Sequence, residues 1–121
     1  MRHVSFTFGL LLVAGAVSAA GCASGALVNQ RTQTSMAAIR AAEEVGVSKA
    51  PRASLHLELA KEAVARAGVL SKAGKKDEAA SYLSRAEADA ELAVLLSREE
   101  SEKVEASKAM ERVRKLQQEN M

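Results

Sequence analysis

Large aromatics, cysteine and proline are nearly missing from this chain. Among 121 residues there is no tryptophan, one tyrosine, two phenylalanines, one proline and one cysteine. Phe6 and Phe8 both lie at the N-terminal end, so a chain trimmed there keeps a single ring, Tyr82. Much of the 48% apolar content is alanine, and a buried alanine methyl contributes far less than a buried Leu or Phe. At this length the chain forms one small domain. Its material builds a slim helical bundle and not a domain with a deep cleft. A single cysteine excludes an intramolecular disulfide and a thiolate-cluster metal site. Charge of one sign is also lacking, with 17 Lys and Arg against 15 Asp and Glu. The lopsided basic face that nucleic acid requires is therefore not apparent. No apolar run reaches the ~20 residues of a membrane-crossing helix.

What is present begins with an export signal. Arg2 and His3 form a polar head, followed by an apolar core from Val4 to Val17 and the small residues Ser18, Ala19, Ala20 and Gly21. A positive head, an apolar core of about 7–15 residues and a small-residue exit describe a secretory signal peptide. Cys22 follows directly. The ending Ala19-Ala20-Gly21-Cys22 resembles the bacterial lipobox, although that motif usually carries Leu where Ala19 stands. The resemblance implies cleavage between Gly21 and Cys22, a diacylglyceryl thioether on the Cys22 sulfur and an N-acyl group on its new terminus. Ala23, where inner-membrane lipoproteins often carry Asp, points to the outer membrane on the periplasmic side over the inner membrane. Ordinary cleavage near Ala19 or Ala20, leaving a free thiol, is the alternative. No cofactor is expected beyond the covalent lipid. Several acyl chains at ~0.8 kcal/mol per buried methylene hold a protein on a bilayer stably.

The mature chain reads as helix throughout. Residues 22–27 are expected to form a lipidated tether, 28–97 an alanine-rich three-helix domain and 98–121 a helical extension. In the first helix Val28, Thr32, Ser35, Met36, Ile39, Ala42 and Val45 recur at steps of three and four, which is helical spacing. Gly46 and the Ala50-Pro51 pair end it. A second helix is predicted from Pro51 to Ala73, with Leu55, Leu59, Ala63, Ala67 and Leu70 as its stripe, widened by Ala60 and Val64. Gly74 marks the turn. Asp77 and Glu78 favour a new helix N-terminus, and Ala79, Leu83, Ala86, Ala90, Ala93 and Val94 carry the third helix along one face. Short connections make the neighbours antiparallel. Ser97 to Lys103 has no apolar side chain, so the third helix should project into solvent there. Glu99–Lys103 and Glu111–Lys115 are four apart and can support it. A thin stripe then returns through Ala106, Ala109, Met110, Val113 and Leu116.

The segments Ala50-Pro51-Arg52-Ala53-Ser54-Leu55, Leu57-Glu58-Leu59-Ala60-Lys61-Glu62 and Arg85-Ala86-Glu87-Ala88-Asp89-Ala90-Glu91-Leu92-Ala93 resemble the bacterial envelope lipoprotein family called domain of unknown function 4398. The resemblance runs from about Met36 to Arg98 and reaches the lipobox. It departs at Gly74-Lys75-Lys76-Asp77, where members carry a glycine–aspartate turn, and at His56, where an aromatic is common. It implies a periplasm-facing lipoprotein, sometimes fused to a peptidoglycan-binding domain that has no counterpart here, and it supplies no catalytic residues.

Candidate chemical residues are few. His56 reads as a partly exposed helix-flank residue, and Ser54, two positions away, faces another side. Glu87, Asp89 and Glu91 cluster in sequence, and Glu87 and Glu91 share a face. Paired carboxylates can act as acid and base, but on such a helix they form its wet side. No catalytic or metal site is expected. Lys72, Lys75 and Lys76 at the turn read as a solvated helix end, or as a group that meets anionic headgroups. Met110, Val113 and Leu116 are the expected partner face, for a protein partner or for self-association as a coiled coil. Neither nucleic acid nor a small-molecule substrate is expected. The function that follows is a membrane-anchored structural or interaction element of the envelope. The alternative is a binding module for a peptide or cell-wall component, resembling one tetratricopeptide unit, although such arrays need about three repeats.

Overall fold

The computed structural model describes residues 20–121, with side chains from Ser24 onward. Residues 1–19 of the expected signal segment, and the side chain of Cys22, lie outside what it describes. Among the described residues there are three α-helices and no strand: α1 (Ala20–Glu44), α2 (Pro51–Lys72) and α3 (Lys76–Glu119), with a 3-10 turn at Val47–Lys49 between the first two. None is long and apolar enough to cross a membrane.

The helix ends follow from the two glycines that the turns require. Gly46 (φ 74°) and Gly74 (φ 79°) both adopt left-handed backbone, which costs a residue with a Cβ about 1–2 kcal/mol. At Gly74 the Lys75 N–H donates to the Leu70 carbonyl at 2.9 Å and the Gly74 N–H to the Ser71 carbonyl at 3.1 Å. This pair of bonds is a Schellman closure. At the other connection the chain turns inward, so that Val47 is fully buried. Pro51 then occupies the first turn of α2, where its missing N–H leaves no bond unmade.

Two buried clusters order the helices. Val28 of α1 packs with Ala67 and Leu70 of α2 and with Ala79 and Leu83 of α3. Ile39 and Ala42 of α1 pack with Ala53, Leu57 and Ala60 of α2 and with Ala90 and Ala93 of α3. Chain order within these clusters makes α1 parallel to α3, with α2 antiparallel to both. The Gly74 turn therefore lies at the same end as the start of α1. There Lys76 Nζ sits 3.3 Å from the place a Cβ on Gly25 would occupy. Between the clusters Ser35 is fully buried, its Oγ 2.8 Å from the Arg31 carbonyl and 2.9 Å from the Leu83 carbonyl. One hydroxyl proton is thus shared between its own helix and α3.

Several expectations are corrected. Residues 22–27, expected as a tether apart from the helices, lie within α1, which runs from Ala20. Gly25 weakens a helix by only ~1 kcal/mol relative to alanine, and burial of Val28 just beyond it favours continuation. The α2 stripe shifts only in its first turns: Leu55 is 59% exposed and Leu59 half-buried, with Ala53 and Leu57 buried in their place, while Ala60, Ala63, Ala67 and Leu70 are buried as expected. Leu57, two residues from Leu55 and so on the opposite side of the helix, packs with Ala90 and Ala93 of α3, and burying it turns Leu55 outward. Met36 and Val45 of α1 are likewise exposed at 43% and 51%. On α3 the buried residues Ala79, Leu83, Ala86, Ala90 and Ala93 are ones the periodicity marks, and Val94, also marked, is half-buried.

Helix α3 has 44 residues, a length of ~66 Å. Its first half packs against both other helices. From Arg98 to Lys108 every residue is exposed, so the second half projects beyond the connection between α1 and α2.

Candidate interaction faces

Each pair of helices is tied by polar groups as well as by packing. Lys61 of α2 reaches Glu43 of α1 at 3.0 Å and Glu58 of its own helix at 3.3 Å. These hydrogen bonds, the one to Glu43 foremost, raise the Lys61 ammonium above its ordinary pKa. Arg31 of α1 donates to the Ser84 hydroxyl of α3. Between α2 and α3, His56 Nδ1 lies 2.9 Å from Asp89 Oδ1, and Arg85 Nε lies 3.8 Å from Asp89 Oδ2.

The His56–Asp89 pair is what reading the sequence missed. Both residues stand out on inspection, but in separate contexts, His56 as a lone ring and Asp89 as part of an acidic face. The antiparallel register brings them together. Their side chains are 27% and 15% exposed, so the pair is half-shielded from water. Nucleophilic catalysis requires a hydroxyl or thiol within hydrogen-bond reach of such a ring, and the hydrogen bond described for His56 goes to Asp89 alone. Glu87 is half-buried and Glu91 exposed. The nearby groove between α2 and α3, about 450 Å³, is lined by Leu59, Glu62, Ala63, Arg66, Tyr82 and Arg85. It includes none of His56, Glu87 or Glu91. No group of three His, Cys, Asp or Glu among the described residues is placed to hold a metal ion. The pair can serve as an interhelical clamp.

The projecting half of α3 carries the apolar face that the spacing predicts. Met110, Val113 and Leu116 are exposed at 73%, 53% and 57%. Its support is local. Glu99 pairs with Lys103, four residues on, and more weakly with Arg52 of α2 at 4.0 Å. The Lys103 hydrogen bond is the main cause holding the Glu99 carboxyl below its ordinary pKa. Glu111 pairs with Arg114 at 3.0 Å, three residues on, in place of the expected Lys115.

At the other end the Gly74 turn, flanked by Lys72 and Lys75, brings Lys76 beside Gly25 of α1, with Lys75 3.3 Å from Glu78. The backbone of Cys22 lies in the first turn of α1 at this same end. Neither a family model, nor a curated protein, nor a solved structure matches the chain. The resemblance described above is carried by the quoted segments alone.

Proposed function

We propose that the protein is a lipid-anchored rod of the bacterial envelope, of the kind the lipobox and the quoted helical segments resemble. Acyl chains on Cys22 hold one end on the membrane, and the free half of α3 presents Met110, Val113 and Leu116 to a protein partner or a second copy. It works by position and reach and performs no catalysis. The observation that supports this reading most is the parallel course of α1 and α3. It sets Cys22 and the exposed apolar face at opposite ends of the molecule. A photo-crosslinking residue at Val113, in intact cells, should capture one discrete product. The same group at Leu55, an exposed leucine on the bundle wall, should not. Recovery of the full-length protein from a lipidating host in the soluble fraction would defeat the anchored reading.

A second reading, a small binding module for a peptide or cell-wall component, is favoured by the groove at Leu59, Ala63 and Tyr82 with Arg66 and Arg85 on its rim. Retention of the Cys22→Ser chain on purified murein, abolished by Arg66→Ala with Arg85→Ala, would favour the module over the rod.

A further inference from the structure

We infer that the turn-bearing end of the bundle is a docking surface for anionic lipid headgroups, formed by Lys72, Lys75 and Lys76 beside the start of α1. The inference rests on the anchored reading above and specifies which face of the rod meets the membrane. Its first support is charge. The part of the bundle nearest the turn (24–35 and 63–83) carries Arg31, Arg66, Lys72, Lys75 and Lys76 against Asp77 and Glu78. The remainder up to residue 97 has the opposite balance, with Arg40, Lys49, Arg52, Lys61 and Arg85 against Glu43, Glu44, Glu58, Glu62, Glu87, Asp89 and Glu91. The C-terminus of α2 and the N-terminus of α3 meet at this end, so their dipoles offset one another and the side-chain charges alone distinguish it.

The second support is distance. Because α1 is helical through Cys22, no slack separates the anchor from the bundle. Six residues from Cys22 to the buried Val28 span ~9 Å at helical rise. That is about one Debye length at physiological salt, so a lipid on Cys22 holds the lysines where the surface potential of anionic headgroups acts on them. Each Lys near such a surface contributes on the order of a fivefold gain in binding. A flexible tether of the same residues would let the bundle drift out of that range.

The test uses the chain from residue 22 with Cys22→Ser, so that no acyl chain contributes. It is sedimented with vesicles of 30% phosphatidylglycerol in phosphatidylcholine, and with pure phosphatidylcholine, at low and high salt. We expect binding to the anionic vesicles only, lost at high salt. A Lys72→Gln, Lys75→Gln, Lys76→Gln variant of unchanged helical circular dichroism should bind at least tenfold more weakly. A Lys108→Gln, Arg112→Gln, Lys115→Gln variant at the opposite end should bind as the parent does. No binding to anionic vesicles, equal binding to neutral ones, or loss on the second variant in place of the first would overturn the inference. The anchor is tested separately by the mass of the native N-terminal peptide. A lipidated Cys22 with no vesicle binding defeats only the headgroup surface, and an unmodified Cys22 defeats the anchored reading.

Discussion

The two halves of α3 are one continuous helix held by different forces. From Lys76 to Ser97 the helix turns Ala79, Leu83, Ala86, Ala90 and Ala93 against α1 and α2, and each is buried. From Arg98 onward it has no buried face, and apart from the 4.0 Å approach of Arg52 to Glu99 its support is side-chain pairs three or four residues apart. Such pairs contribute only ~0.2–0.5 kcal/mol each, so most of the second half's order is borrowed from the packed half that nucleates it. A helix that continues where it no longer packs is oriented by its root. This is how a small alanine-rich domain holds an apolar stripe well away from its own core.

The contrast predicts effects of very different size. Leu83 is 1% exposed, and Leu83→Ala should destabilise the fold by ~2–5 kcal/mol, seen as a large fall in the thermal midpoint. Val113→Ala, on the same helix, should change it by less than ~0.5 kcal/mol. Comparable losses at the two positions would mean that the projecting half packs on something in the isolated protein.

Gly74→Ala should cost ~1–2 kcal/mol, because its left-handed backbone strains any Cβ, although nothing lies within 4 Å to clash with one. Denaturant midpoints measure this, and an unchanged midpoint would mean the Schellman closure is not needed to set α2 against α3.

Smaller still is the His56–Asp89 clamp. A double-mutant cycle with His56→Ala and Asp89→Ala should give a coupling of ~1 kcal/mol, whereas the same cycle on Glu111 and Arg114 should give a few tenths.

The smallest effect is that of pH on the free half. The Glu99 carboxyl titrates below its ordinary value when folded, so its contribution is present above the ordinary carboxylate range. That contribution is lost as pH falls through the lowered folded value. Protection factors, which divide out the intrinsic slowing of amide exchange in acid, should therefore fall at residues around Glu99 and Lys103 on acidification. Glu99→Gln should remove that dependence.

The α3 face was legible in the sequence because its periodicity is clean and its small residues leave one choice of inward side. The α2 face was less so. Its leucines point two ways, Leu55 and Leu59 on one side and Leu57 on the other, and only packing against α1 and α3 decides that Leu57 and the alanines go in. The clamp was hidden for a different reason. His56 stands fourteen residues before Leu70, and Asp89 fourteen after Lys75, the two residues joined by the turn-closing bond. Counting outward from that closure finds the pair, but only once the hairpin register is known. The helicity of residues 22–27 was hidden by composition, since small residues read equally as linker and as helix start.

Everything functional in this account depends on what Cys22 carries in native material, because the parallel course of α1 and α3 gives the rod a direction only if one end is fixed. Mass spectrometry of the N-terminal peptide isolated from membranes tests this directly. The account predicts a chain beginning at Cys22 with a diacylglyceryl thioether and an N-acyl group. A free sulfur on Cys22, or a mature chain that begins at another residue, would contradict it.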